Sequence, residues 1–163
     1  MKLYLAEAIK RVRLLNGDVI SLLQEESQYS VITYRSDAEK IKNSYNFEAT
    51  REKINALNEE ILKLKRAINK ANNEIKIDVN DYTIADGLVK ISMIRQELSF
   101  YLEQMATKEK LVSKVDMRND GLIFTELLYD PDECKEYVRV QKELLAQIQM
   151  GIDRANLTTL IEV

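Results

Sequence analysis

The chain has 163 residues, of which 45% are hydrophobic and 31% are charged, and its formal net charge is -3. A chain of this length usually folds as one domain, so we predict a single helical domain over residues 1–163. The net negative charge provides no general attraction for nucleic acid or for an anionic membrane, and nucleic acid is not an expected partner. Only four Gly and one Pro interrupt the chain, which predicts long secondary-structure elements.

Residue types that are missing or rare exclude several kinds of chemistry. The chain has no histidine, which removes nucleophile–histidine pairs and the usual zinc and haem ligand sets. Cys134 is the single cysteine, so no disulfide can form within the chain, and a reducing cytoplasm is expected. No run of about 18 apolar residues occurs, and residues 1–16 carry charges throughout. We therefore predict a cytoplasmic protein with no enzymatic activity, no cofactor and no transmembrane segment.

Apolar residues repeat along most of the chain at alternating steps of three and four, which is the seam of an amphipathic helix. The first seam passes through Gly17 without changing phase, so a continuous helix is favoured there over a break capped by Asp18. The seams predict an all-α fold, an antiparallel four-helix bundle built from coiled-coil hairpins. Its helices are expected at about residues 3–27, 47–73, 83–110 and 131–157.

Polar residues before the later seams provide helix start signals. Asn46 is the predicted N-cap of the second helix. Thr83, followed three residues later by Asp86, predicts a capping box at the start of the third. Asp130 precedes Pro131, which suits the first position of the fourth helix.

Short β-like segments are predicted in the connectors between the helices. Residues 29–34 and 122–129 are rich in β-branched and aromatic side chains, and residues 75–79 alternate between apolar and charged types. In up-down-up-down order the first and third connectors lie at the same end, so segments 29–34 and 122–129 could pair into a small ribbon there. Ser36 with Glu39 suggests one further helical turn in the first connector.

One phrase occurs twice, as Ile68–Asn72 and as Ile152–Asn156. In both copies the final Asn lies four residues after a seam Ile, on the side of the helix near the core. Three roles are open for Asn72 and Asn156: a C-terminal cap, a buried hydrogen bond that sets the register of two helices, or a ligand site. The candidate interaction residues in this phrase are Asn69, Asn72, Asp153 and Asn156.

Charged residues provide weaker candidates for a site. Arg95 occupies a seam position of the third helix, where its stem is expected to pack while its head reaches solvent or a neighbouring Glu; a buried functional cation is the alternative. Carboxylates that could pair for acid–base work or bind a divalent cation show no spacing that singles out one pair. These are Glu59, Glu60, Glu97, Glu103, Glu133 and Glu143.

Four segments spread over nearly the whole chain resemble the septicolysin-like family of small helical bacterial proteins. The matching segments are Leu5–Ile9, Ile68–Asn72, Thr83–Leu88 and Ile152–Thr159, and their order and spacing are more specific than any one of them. The resemblance implies a small helical bacterial protein, and the family name implies cytolysis.

Three functions follow as hypotheses from these patterns. The first is a non-enzymatic, homo-oligomeric interaction or scaffold protein in the bacterial cytoplasm, since seams that pack helices together also suit a partner. The second is a membrane-active, lytic protein, as the family name implies. The third is a carboxylate-based site for a metal or another ligand.

Overall fold

A computed structural model of the chain describes residues 1–35, 45–109, 111–116 and 121–163, with the side chains of 101 and 111–116 excepted. The fold is mostly helical, as the seams predicted. Its elements in chain order are β1 (Lys2–Tyr4), α1 (Leu5–Tyr29), α2 (Phe47–Glu74), α3 (Ile84–Glu97), a π-helical segment (Leu98–Leu102), α4 (Glu103–Met105), β2 (Leu111–Asp116), β3 (Gly121–Glu126), α5 (Pro131–Thr158) and β4 (Leu160–Glu162).

The chain divides into two compact units, and α5 crosses the boundary between them. The first unit comprises Met1–Ile75 and Ala155–Val163, and the second comprises Lys76–Arg154.

In the first unit α1 and α2 form an antiparallel hairpin. Arg11, early in α1, contacts Glu60, midway along α2, whereas Glu26, late in α1, contacts Arg51, early in α2. The apolar seams of the two helices provide the core, and the strands β1 and β4 pair antiparallel with Leu3 opposite Ile161. The buried apolar side chains of this unit are Leu5, Ala8, Ile54, Ile61, Leu64, Ala71, Ala155 and Ile161.

The second unit begins with a tight turn in front of α3. Asn80 and Asp81 have φ angles of 49° and 55°, a conformation in which Asn and Asp are the best tolerated residues after Gly. The Tyr82 amide donates to the Val79 carbonyl over 3.0 Å, and the Ile77 amide donates to the Tyr82 carbonyl over 2.8 Å. The predicted extended segment at residues 75–79 is therefore one arm of a short hairpin.

Ile77, which precedes this turn, is buried in the core of the second unit. The other buried apolar residues there come from the inward faces of α3, the π-helical segment and α5, at the three- and four-residue steps of the seams, and from Ala106 just after α4. They are Ile84, Ile91, Ile94, Leu98, Ala106, Val138, Ile148 and Ile152.

The predicted helix starts are confirmed. The Asn46 side chain accepts a hydrogen bond from the Ala49 amide over 3.1 Å. Thr83 and Asp86 form a reciprocal capping box, with bonds of 3.1 and 3.0 Å between each side chain and the other's backbone amide. Asp130 accepts from the Asp132 amide over 2.9 Å, and α5 begins at Pro131 as expected.

Gly17 lies inside the unbroken α1, so the continuous helix is correct. The glycine is tolerated there because the neighbouring turns satisfy its backbone hydrogen bonds. The N-terminal boundary is different from the prediction, since residues 2–4 form β1 and the helix begins at Leu5.

The predicted pairing of the connectors is wrong. Tyr29 ends α1, and residues 30–35 contain no strand, so no ribbon forms with the third connector. Instead β3 pairs antiparallel with β2, from Leu111 opposite Glu126 to Asp116 opposite Gly121. A local partner wins because closing a short loop costs less chain entropy than joining two distant connectors.

Three further expectations differ from the structure or lie beyond it. The third helix ends at Met105 after the π-helical segment, five residues short of its predicted end. The cap suggested at Ser36 and Glu39 lies outside the described residues. Residues 119–121, Asn-Asp-Gly, are also a turn signal in the sequence, and of these only Gly121 is described, at the start of β3.

Candidate functional site

The two repeated asparagines lie inside helices, so neither is a C-cap. Asn72 is followed by two more residues of α2, and Ile75 is the actual cap; α5 likewise continues past Asn156 to Thr158. The Asn156 Oδ1 atom is buried and has no hydrogen-bond partner in the described part of the chain. The predicted register-setting bond is therefore absent at that atom within this part, and Asn72 is half-buried.

Other residues of the repeated phrase make local contacts. The Asn69 carbonyl accepts from the side chain of Asn73 over 2.8 Å, and Asp153 accepts from Gln149 over 3.1 Å. Arg154 forms an ion pair with Asp78 at 2.8 Å, within the second unit. These contacts stabilise helices and turns locally, and they do not bring the residues of the phrase together into one site.

Arg95 lies in the last turn of α3 with an exposed side chain, where a cation is favourable to the helix dipole. The expectation of a head in solvent fits this position, and a buried cation does not. Asn69, Asn72 and Asn156 belong to the first unit, while Arg95 and Asp153 belong to the second.

Four of the six candidate carboxylates bind basic or hydroxyl groups: Glu60, Glu97, Glu103 and Glu143. Glu103 pairs with Lys142 at 2.7 Å, and Glu97 accepts from the Tyr137 hydroxyl over 2.8 Å, which raises the pKa of Tyr137. Across the described ranges no three His, Cys, Asp or Glu side chains come together as a metal site would require.

The first unit contains an open cleft of about 550 Å³ between α1 and α2. Its apolar lining comes from Leu22 of α1 and from Ala56 and Leu57 of α2. Its polar lining consists of Asp18, Ser21, Lys53 and Glu60. The heptad seams bring these residues together, because the two helices run antiparallel and each contributes the residues at the edge of its apolar face.

Ion pairs at both ends hold the two walls of the cleft. At one end Arg11 donates from Nε to Glu60 over 2.7 Å. At the other, Glu26 binds Arg51 and accepts from the Tyr45 hydroxyl over 2.6 Å. The hydrogen bond to the carboxylate is the main reason that the pKa of Tyr45 is raised.

Between these ends, the charges of Asp18 and Lys53 are exposed on opposite walls. Neither side chain has an ion-pair partner among the residues that the structure describes. The cleft therefore presents an apolar floor flanked by one unpaired acid and one unpaired base. Such a surface suits a protein segment with an apolar side chain and complementary charges.

The sequence pattern does not predict this cleft. It indicates Asp18 only as the cap of a broken first helix, and it predicts no role for Ser21 or Lys53. The available signal was the spacing of Leu14, Asp18 and Ser21, which places them on one side of α1. Which residues of α2 face them depends on the register of the hairpin.

The π-helical segment is a second unusual feature, within the second unit. The Cys134 thiol donates to the Leu102 carbonyl over 3.4 Å, and the Tyr129 hydroxyl donates to the Met105 carbonyl over 3.1 Å. Both carbonyls also accept backbone bonds, from the Ala106 and Lys108 amides, so Cys134 of α5 and Tyr129 add a second donor to each. Cys134 is half-buried, and this contact accounts for it structurally.

Comparison with known proteins gives one fold-level similarity. No protein-family model matches the chain, and no curated protein matches it. The solved structure of a functionally unknown conserved protein from Corynebacterium diphtheriae is similar, with a TM-score of 0.70 and 20% sequence identity. The match covers 99% of this chain and 100% of that chain, and at this identity it shows the fold alone. No helix in the described part of the chain has the length and apolar character needed to cross a bilayer.

Proposed function

We propose that this protein is a non-enzymatic, self-associating scaffold of the bacterial cytoplasm. The observation that carries the proposal is the apolar surface of β3. Leu122, Ile123 and Phe124 are consecutive and are 62%, 52% and 64% exposed. Because successive side chains of a strand point to opposite faces, β3 presents apolar groups on both sides. A contiguous surface of this kind is typical of an interface.

A second exposed apolar group supports the same proposal. Val89 and Met93 are one turn apart on α3 and are 60% and 59% exposed, on the side away from the buried Ile91 and Ile94. Burial of such residues against a second copy would remove apolar area from water, which is the main driving force for stable association. The proposal also includes the antiparallel four-helix bundle predicted from the seams, in which these apolar surfaces lie on the outside.

The test is the mass of the protein in solution as a function of concentration. Sedimentation velocity and light scattering are expected to show an oligomer for the unaltered chain. Phe124→Glu should weaken association by at least about tenfold, because it places a charge in an apolar contact. Asn58→Glu is the matched control, since Asn58 is an exposed polar residue of α2 that lies outside β3 and does not line the cleft. A chain that remains monomeric at all concentrations would contradict the proposal.

Membrane activity is a second candidate, because the apolar side chains of β3 also suit insertion into a lipid surface. Six residues at about 3.4 Å each reach roughly 20 Å, whereas the hydrocarbon core of a bilayer is about 30 Å thick. This candidate therefore predicts insertion at the membrane surface by β3. Dye release from anionic and neutral vesicles tests it, with Phe124→Glu as the control. No release from either kind of vesicle would reject it.

A further inference from the structure

We infer that the α1–α2 cleft is a second self-association surface, occupied by the same hairpin of a second copy of the chain. The inference rests on the self-association proposed above, but it concerns a surface in the first unit that contains no residue of β3. Leu14 adds an exposed apolar side chain beside the cleft; it is 61% exposed and lies one turn before Asp18.

When a second copy of the chain is related to the first by a two-fold axis, the cleft charges of the two copies are complementary. Asp18 lies on the α1 wall and Lys53 on the α2 wall, and both are exposed. A two-fold axis parallel to the helices places α1 of each copy against α2 of the other. Asp18 then faces the partner's Lys53, and the reciprocal pair forms on the other side of the axis.

The helix directions fit this arrangement. Because α1 and α2 are antiparallel, the partner's α1 also lies antiparallel to α2 of the first copy, as in an up-down four-helix bundle. Small residues permit a close approach of the helices. Gly17 and Ser21 lie one turn apart on α1, a Cβ added at Gly17 would meet no atom within 4 Å, and Ala56 is exposed on α2.

A second copy explains the cleft better than an unrelated peptide does. An acidic peptide would meet Lys53 but be repelled by Asp18, and a basic peptide would have the opposite problem. The same surface supplies one charge of each sign at the required positions, so both unpaired charges gain a partner at once.

The experiment is a charge exchange across the interface, made in the full chain and repeated with Phe124→Glu to remove the contribution of β3. Asp18→Lys and Lys53→Glu are made singly and together. Each single substitution is expected to weaken association by at least about tenfold, since it opposes like charges at two places related by the axis. The double variant should associate as the unaltered chain does, because both pairs are restored with their signs reversed.

Mixing the two single variants gives the sharpest readout. In the Phe124→Glu background, Asp18→Lys places a base on both walls and Lys53→Glu an acid on both walls, so a heterodimer should form where neither variant associates alone. Glu59→Lys is the matched control on α2, because Glu59 is exposed and does not line the cleft. Circular dichroism verifies that every variant is folded.

The outcomes separate this inference from the proposed function. An oligomer that is unaffected by the single substitutions overturns the cleft interface and leaves the scaffold proposal standing. Association that responds to charge exchange but not to Phe124→Glu supports the cleft and removes the role of β3. A folded chain that is monomeric at all concentrations overturns both.

Discussion

The side chain of Ile77 occupies the space next to Gly87 that any larger residue would need. A Cβ built at Gly87 would lie 3.2 Å from Ile77 Cδ1 and 3.1 Å from Ile148 Cγ2. Gly151 faces the same side chain, since its added Cβ would lie 3.2 Å from Ile77 Cβ. Two glycines in α3 and α5 therefore create the niche into which the residue before the Asn80–Asp81 turn inserts.

Gly87→Ala is expected to lower the free energy of unfolding by about 1–3 kcal/mol, because a tightly packed core must shift to admit a methyl group. Gly17→Ala, made together with Asp18→Lys to remove the proposed cleft interface, is the matched control in α1, where an added Cβ meets no atom of the chain within 4 Å. It should raise the stability by about 0.5–1 kcal/mol through helix propensity alone. Chemical denaturation measures both, and a Gly87→Ala variant as stable as the unaltered chain would show that the niche has free space.

Thr83→Ala is expected to lower the stability by about 1 kcal/mol, since the side chain caps the Asp86 amide. Thr83→Ser keeps the hydroxyl and should retain most of the stability. Thermal and denaturant unfolding at neutral pH provide the comparison. Equal losses in the two variants would mean that the methyl group of Thr83 matters and the cap does not.

The Asp86 carboxylate should make stability depend on pH. Its hydrogen bonds from Thr83 lower its pKa in the folded state. The stabilisation is therefore present above the ordinary Asp pKa of about 4 and is lost as pH falls through the lowered folded value. At neutral pH the unaltered chain should have a higher free energy of unfolding than Asp86→Asn, and this difference should disappear in acid. Denaturation over a pH series measures it. An advantage that persists or grows in acid would reverse the assigned sign.

Glu26→Gln should lower the pKa of Tyr45, because it removes the carboxylate that accepts the phenol hydrogen. It also removes the ion pair with Arg51, whose side chain is 34% exposed. Loss of this pair should lower the free energy of unfolding by about 1 kcal/mol. Glu25→Gln is the control at the neighbouring exposed position. Titration of the Tyr45 ring signals by NMR reports the pKa, and an unchanged value would disprove the assigned cause.

Asn156→Leu is expected to raise the stability by up to about 1–3 kcal/mol, because it removes the desolvation penalty of a buried carbonyl oxygen that lacks a partner in the described part of the chain. Asn72→Leu is the comparison at the equivalent position of the repeated phrase. Loss of stability in Asn156→Leu would indicate that the amide makes a favourable interaction in the folded protein.

Local signals were sufficient for the helices and their starts. Asn46, Thr83 and Asp130 cap neighbouring amides, so their role depends only on residues two or three positions away. The apolar seams similarly depend on the period of a single helix. The sequence by itself therefore determined the helical class and the starts of α2, α3 and α5.

Tertiary structure decided the features that join distant residues. Three such features depend on contacts between distant parts of the chain. They are the pairing of Leu3 with Ile161, the insertion of Ile77 against Gly87, and the register that sets Asp18 opposite Lys53. Such contacts form when the burial of many residues outweighs the entropy lost in closing the loops between them. The apolar period of a single helix contains no information about that balance. The helical class and the starts of α2, α3 and α5 were thus determined by the sequence alone, whereas the cleft and the partner of β3 were decided only by the fold.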